Sequence, residues 1–215
     1  MAKNITVVIV NFNTPIFLRE SVKSFKYYYP ETPVLIIDNG SDQESADTIN
    51  SIQSEFNHVD SLYLEKNINH GPAMHRAVME TDSPYIFFLD SDTRTDYGGF
   101  LELMMEKLKS DEMNYGIGKI RKINKRGFKD SNGFPVLVTP YMMIKSKPYE
   151  TLPPFIHHGI PVIQNFNEAQ KRGFKLIDFP VDEYIHHKGR GTAGSFGYNL
   201  GWRGKMDYLL NKLGL

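Results

Sequence analysis

The 215-residue chain predicts an α/β fold, a mostly parallel sheet flanked by helices with a smaller antiparallel portion in its second half. Three observations point there. Short, continuous apolar runs alternate with amphipathic stretches through the first half, the pattern of strands covered on both faces. Polar clusters follow directly on three of those runs: Asn11-Phe12-Asn13, Asp38-Asn39-Gly40-Ser41-Asp42 and Asp90-Ser91-Asp92. After the helical stretch Phe100 to Leu108 the pattern changes to hairpin-like and glycine-rich sequence.

Taken in order, "ITVVIV" (Ile5 to Val10) reads as a buried strand. Thr14-Pro15 reads as an N-cap followed by proline at the first helical position, with Leu18, Val22 and Phe25 at helical spacing behind it. "PVLII" (Pro33 to Ile37) is a second strand, Gln43 to Ile52 a helix, and "SLYL" (Ser61 to Leu64) a third strand. Gly71-Pro72 opens another helix, with Met74, Ala77 and Val78 facing inward. "YIFFL" (Tyr85 to Leu89) is the fourth strand. In the second half a hairpin turns near Asn124 to Gly127, Pro161 to Arg172 is a helix ended by Gly173, and "FKLIDFP" is a last strand. Met206 to Leu213 is a short closing helix.

Composition narrows the function. Hydrophobic residues make up 40% and charged residues 23%, enough for a sizeable core. Lysine plus arginine and aspartate plus glutamate each number 25, so no global field draws in nucleic acid. There is no cysteine, which excludes disulfides, thiolate metal sites and cysteine nucleophiles, and suits the cytoplasm. The opening segment reads as a strand and not a signal peptide, and no stretch approaches the roughly 18 apolar residues of a membrane span.

The chemistry concentrates at the strand ends, where open α/β sheets bind ligands. Asp90 and Asp92, two apart in an extended segment, point the same way and repel each other unless a cation compensates. Oxygen ligands suit Mg²⁺ or Mn²⁺, and such an ion grips a diphosphate. The competing reading is that Asp-Ser-Asp simply starts a polar turn.

Four segments in order decide between these. "VVIVNFNTPIFLRESVKSF", "VLIIDNGSDQES", "EKNINHGPAMHRAV" and "YIFFLDSDT" together resemble the nucleotide-sugar glycosyltransferases of the GT-A fold, specifically family 2, over residues 5 to 93. The resemblance returns near Arg172 to Thr192. It implies one domain over 1–215, with 1–96 as the nucleotide-sugar-binding half and 97–215 as the acceptor-binding half with a C-terminal lid. By this resemblance Asn11, Phe12 and Asn13 line the nucleobase pocket and Asp38 accepts a hydrogen bond from the base, which suits uracil N3–H. Gly71 allows close backbone approach to the nucleotide. Arg76 lies near the sugar or diphosphate, or else on a solvated helix face; His75 is structural. Asp90, Ser91 and Asp92 hold the donor, and Asp92 coordinates a Mn²⁺ (or Mg²⁺) ion that stabilises the leaving diphosphate.

"YIHHKGRGTAG" resembles a second landmark of that family, a histidine that completes the metal site. The register favours His187 over His186, which points the other way if the segment is extended. Lys188 and Arg190 are in reach of phosphates, and the glycines suit a lid. The acid pair that supplies the family's base is missing. His157 and His158 stand near its place, with Asp182 or Glu183 next in line. The basic run Lys119, Arg121, Lys122, Lys125, Arg126 and Lys129 suits either an acidic acceptor or an edge strand protected by lysines. The expected activity is transfer from a UDP-sugar to a saccharide, glycolipid or protein hydroxyl, with inversion. The alternatives are an inactive nucleotide-sugar-binding module and, against the absence of a Gly-rich phosphate loop, a sugar-1-phosphate nucleotidyltransferase.

Overall fold

A computed structural model describes residues 4–156 and 161–188. Its element order begins β1 (Ile5–Asn11), α1 (Pro15–Tyr28), β2 (Val34–Asp38), α2 (Gln43–Glu55), β3 (Val59–Tyr63), α3 (His70–Met79) and β4 (Tyr85–Leu89). It continues with β5 (Thr93–Thr95), α4 (Phe100–Lys109), β6 (Asn114–Ile123), β7 (Phe134–Lys145) and α5 (Ser146–Tyr149). α6 (Ile163–Lys171), β8 (Lys175–Asp178), a 3-10 turn at Val181–Glu183 and β9 (Ile185–His187) complete it.

Seven strands form one sheet in the order β3-β2-β1-β4-β7-β6-β8, and β5 pairs with β9 in a small antiparallel sheet. β3, β2, β1 and β4 run parallel; β7 is antiparallel to both β4 and β6, and β8 is parallel to β6. The chain lays β2 and β3 on one side of β1 and then returns to place β4 on the other. The strand order therefore reverses between β1 and β4, the kind of switch point that opens a ligand crevice.

Alternation along the strands feeds two cores. Val7 and Ile9 of β1, Ile36 of β2 and Phe87 of β4 pack under Leu18, Val22 and Phe25 of α1, Ile49 and Ile52 of α2, and Met104 of α4. Val8, Ile37, Ile86 and Phe88 face the other way, onto Ala73, Met74 and Ala77 of α3 and Phe166 and Ala169 of α6. Each such large apolar side chain contributes roughly 1.5–3 kcal/mol when fully buried. Both faces covered is the reason these strands read as unbroken apolar runs.

The structure differs from the sequence reading in several places. Thr14 stands at the head of α1, but its side chain makes no cap bond there; its hydroxyl donates to Asn11 instead. The third strand begins at Val59, two positions before Ser61, and α6 begins at Ile163, two after Pro161. The chain does turn at Asn124 to Gly127, where the Gly127 N–H reaches the Asn124 carbonyl at 2.9 Å. A second turn, Asp130 to Gly133, follows before β7 starts. β6 is an interior strand over Gly116–Gly118, flanked by β7 and β8. The strands β5 and β9, the short α5 and the 3-10 turn were not foreseen. His157, His158, Arg190 and the expected helix from Met206 to Leu213 lie outside the described residues. Among the described residues no helix is long and apolar enough to cross a membrane.

Candidate functional site

Three strand ends meet at the switch point, and a chain of side-chain hydrogen bonds ties them together. Asn11, fully buried at the end of β1, donates from Nδ2 to Asp38 Oδ1 at 3.0 Å. Its Oδ1 accepts from the Thr14 hydroxyl at 2.8 Å, and that hydroxyl lies 3.0 Å from the Ser91 hydroxyl. Asp38 at the end of β2 is thus coupled through Asn11 and Thr14 to Ser91, between the two aspartates that follow β4. Asp38 also accepts from the Ser41 N–H at 3.1 Å, closing a tight turn over its own carboxylate. Asn13, with φ at 51°, braces this turn: its Oδ1 accepts from the Asp42 N–H at 2.8 Å. Gly40 is required for the packing of that loop. It has φ at 73°, and a Cβ there would stand 2.4 Å from the Lys66 carbonyl carbon.

The loop after β4 is pinned from behind. The Asp90 carbonyl accepts from the Thr93 hydroxyl at 2.7 Å and from the Ser21 hydroxyl of α1 at 3.3 Å, while the Asp90 N–H donates to Pro140 at 3.0 Å. On this mount Asp90, Asp92 and His187 bring one ligand atom each within 4.8 Å of one another. His187 arrives on β9, which pairs with β5 so that His187 lies opposite Thr93. Its Nε2 is 3.1 Å from Asp92 Oδ1, and the next N–H, of Lys188, donates to the Asp92 carbonyl at 3.0 Å. His186 is exposed on the other face of the strand.

The electrostatics fit a cation. Burial pushes the Asp90 carboxyl above its ordinary pKa; the Asp92 charge adds to this, and His70 and His187 work against it. The hydrogen bond to Asp92 lifts the His187 imidazole above its ordinary value against the cost of burial. The two carboxylates are the hard oxygen donors that suit Mn²⁺ or Mg²⁺, the imidazole is a borderline nitrogen donor, and an ion between them would relieve the repulsion.

The remaining expected residues fall in different places. Gly71 is buried in the first turn of α3. Phe12 and Asn13 follow Asn11 after the end of β1 and are half-buried. Ser91 is turned inward onto Thr14. Arg76 sits in the last turn of α3, on its exposed face, paired with Glu80 at 2.6 Å. His75 contacts the buried Tyr149 hydroxyl at 3.0 Å. Glu183 is exposed, and Asp182 pairs with Lys119.

Some contributors were missed. His70, at the start of α3, brings Nε2 to 3.7 Å from Asp90 Oδ1. Its signal was its place, immediately before Gly71 in a loop that opens a helix at the carboxyl end of the sheet. Thr14, Ser21 and Thr93 act as braces, and nothing in their spacing announces it.

A profile described as "Glycosyl transferase family 2" matches residues 6–169. No curated protein sequence matches significantly. Among solved structures the chain is similar to a mannosyltransferase, PcManGT, from Pyrobaculum calidifontis in complex with GDP-Man and Mn²⁺. The TM-score is 0.70 at 13% identity, over 82% of this chain and 55% of that one. It is also similar to S. aureus TarS 1–349, with a TM-score of 0.60 at 13% identity over 87% and 61% of the two chains. The complex of TarS 1–349 with UDP-GlcNAc gives a TM-score of 0.60 at 15% identity, over 85% and 57%. At these identities the likeness speaks for the fold alone. The chain spans between 55% and 61% of the length of these three structures.

Proposed function

The chain belongs to glycosyl transferase family 2 and has the GT-A fold, and on that premise we propose that it moves a sugar from a UDP-sugar to an acceptor hydroxyl with inversion at the anomeric carbon. The observation that carries this reading is the cluster of Asp90, Asp92 and His187 at the switch point of the sheet. Asp38 faces the nucleobase, held in place by Asn11 and Ser41. Asp90, Asp92 and His187 hold Mn²⁺ or Mg²⁺, which when bound supplies positive charge for the departing diphosphate. His70 lends a further donor beside Asp90. The structures similar to this chain were solved with GDP-Man and with UDP-GlcNAc, so the base is decided by competition between UDP and GDP. Residues 1–96 serve the donor and residues 97–215 the acceptor, with Gly71 and Arg190 against the nucleotide-sugar. His157 or His158 takes the proton of the acceptor hydroxyl; among the described residues Asp182 or Glu183 is the alternative. An absence of cysteine suits a cytoplasmic enzyme.

Calorimetric titration with UDP tests the reading. Affinity is expected to be higher with Mn²⁺ than with EDTA. The change Asp92→Asn is expected to remove most of that difference while the far-UV spectrum stays as it was. Equal UDP affinity with and without the metal would overturn the site.

A further inference from the structure

β7 carries an irregularity where it passes the site. Gly118 of β6 pairs with Met142 and Ile120 pairs with Leu137, so residues 138–141 stand against Lys119 alone. Bulges of this sort re-aim side chains and are frequent beside active sites. Here the extra residues wall a cavity of about 330 Å³, whose lining also includes Lys119, Arg121 and His187. The cavity adjoins the Asp90–Asp92–His187 cluster. Its wall is bonded to Asp90 through the Pro140 carbonyl, and Tyr141 lies opposite Leu89, the last residue of β4. Burial pushes the Tyr141 hydroxyl above its ordinary pKa, and the charges of Asp182, Lys119, Arg121 and Asp90 act on it as well.

One cation that lines the cavity has no partner among the described residues. Lys119 is paired with Asp182, whereas Arg121 makes no ion pair or side-chain hydrogen bond among the described residues. Edge protection accounts for Lys122, Lys125, Arg126 and Lys129, none of which lines the cavity. Lys119 and Arg121 do line it, and of these two Arg121 alone is without a partner among the described residues. Guanidinium matches phosphate and carboxylate through paired hydrogen bonds, and charged hydrogen bonds are about twice as strong as neutral ones.

We propose that this cavity receives an oxyanion carried by the acceptor, a phosphate or a carboxylate, gripped by Arg121 and assisted by Lys119. The inference rests on the donor reading above, and it names the acceptor class: an anionic substrate, held beside the site where the sugar departs. Arg121 and Lys119 are then specificity-determining residues for that acceptor.

The test uses the full chain saturated with UDP and Mn²⁺, so that the diphosphate site is filled. Glycerol 3-phosphate is titrated against glycerol, and methyl glucuronide against methyl glucoside. At least one anionic probe is expected to bind more tightly than its neutral partner, and which one does so identifies phosphate or carboxylate. Arg121→Ala is expected to weaken that probe about tenfold or more, with partial recovery in Arg121→Lys. Lys125→Ala, on the same hairpin but outside the cavity, is expected to change it less than about twofold. The proposal is overturned if neither anion outbinds its neutral partner. It is also overturned if Arg121→Ala binds like the wild type, or if Lys125→Ala loses as much as Arg121→Ala. Failure of UDP to bind would remove the donor reading alone; the Arg121 comparison on UDP-free protein would still decide the anion site.

Discussion

Asp38 is 3% exposed, and each of its oxygens already accepts one hydrogen bond, from Asn11 and from the Ser41 N–H. A carboxylate offers about four acceptor sites, so a side chain clamped in this way keeps lone pairs free in a fixed direction. Asp38→Ala is expected to weaken uridine and UDP alike, by about tenfold, because the proposed partner is the base. Unchanged uridine affinity in a calorimetric titration would place the base elsewhere. The two adjacent histidines make a sharper comparison. Pairing with β5 fixes β9 as extended, and alternation then sends His187 toward Asp92 and leaves His186 in solvent. His187→Ala is expected to reduce Mn²⁺-dependent UDP binding more than His186→Ala does; the reverse order would mean that the imidazole near Asp92 is not the ligand. This pair was legible in the sequence through the resemblance to the family's histidine landmark, with alternation sending His186 to the opposite face. His70 was not, because a lone histidine before a glycine carries no periodic signal.

Between elements, a single cation holds two turns together. Lys26 of α1 is buried, and its ammonium donates to the carbonyls of Pro30, Thr32, Asn57 and His58, at 3.2, 2.8, 2.8 and 3.3 Å. These carbonyls belong to the turns that lead into β2 and β3. Lys26→Met leaves them without a partner and is expected to cost about 2–4 kcal/mol at neutral pH, read by chemical denaturation. Burial pulls the Lys26 pKa from 10.5 down to about 8, opposed by the Glu31 charge. Between those two values the unfolded chain holds the proton that the folded chain has shed, so stability rises with pH there. The wild type is therefore expected to gain on Lys26→Met from about pH 8 to pH 10. A constant difference would show that the four carbonyls keep the ammonium charged. The same scale shows which elements the sequence announces. β1, β2 and β4 are continuous apolar runs because both faces of the sheet are covered, and amphipathic helices follow β1 and β2. β5 and β9 are three residues each, Thr93-Arg94-Thr95 and Ile185-His186-His187, and exist by pairing with each other across a long stretch of chain. The bulge opposite Lys119 is likewise a property of two strands in register, invisible in either alone.

At the scale of the molecule, transfer requires the two halves to meet, since the proposed donor ligands come mostly from the first and the base from the second. Alanine in place of the base, whether His157 or His158, is expected to lower the transfer rate by roughly 10² or more with donor affinity nearly constant. An acidic limb in the pH–rate profile near the imidazole pKa should accompany a histidine base. If both variants transfer at nearly full rate, Asp182, already beside Lys119, and the exposed Glu183 are the next residues to replace. The pairing of β9 with β5 also has a meaning in time. A ribosome releases Asp90 and Asp92 early, and everything from α4 to β8 must follow before His187 appears. Until then the strand end presents two like charges and no third ligand. A chain interrupted ahead of Ile185 carries every strand of the seven-stranded sheet but only two-thirds of its proposed metal site. On that reading the third metal ligand arrives in one late step, and the metal-dependent part of donor binding waits for the last strand.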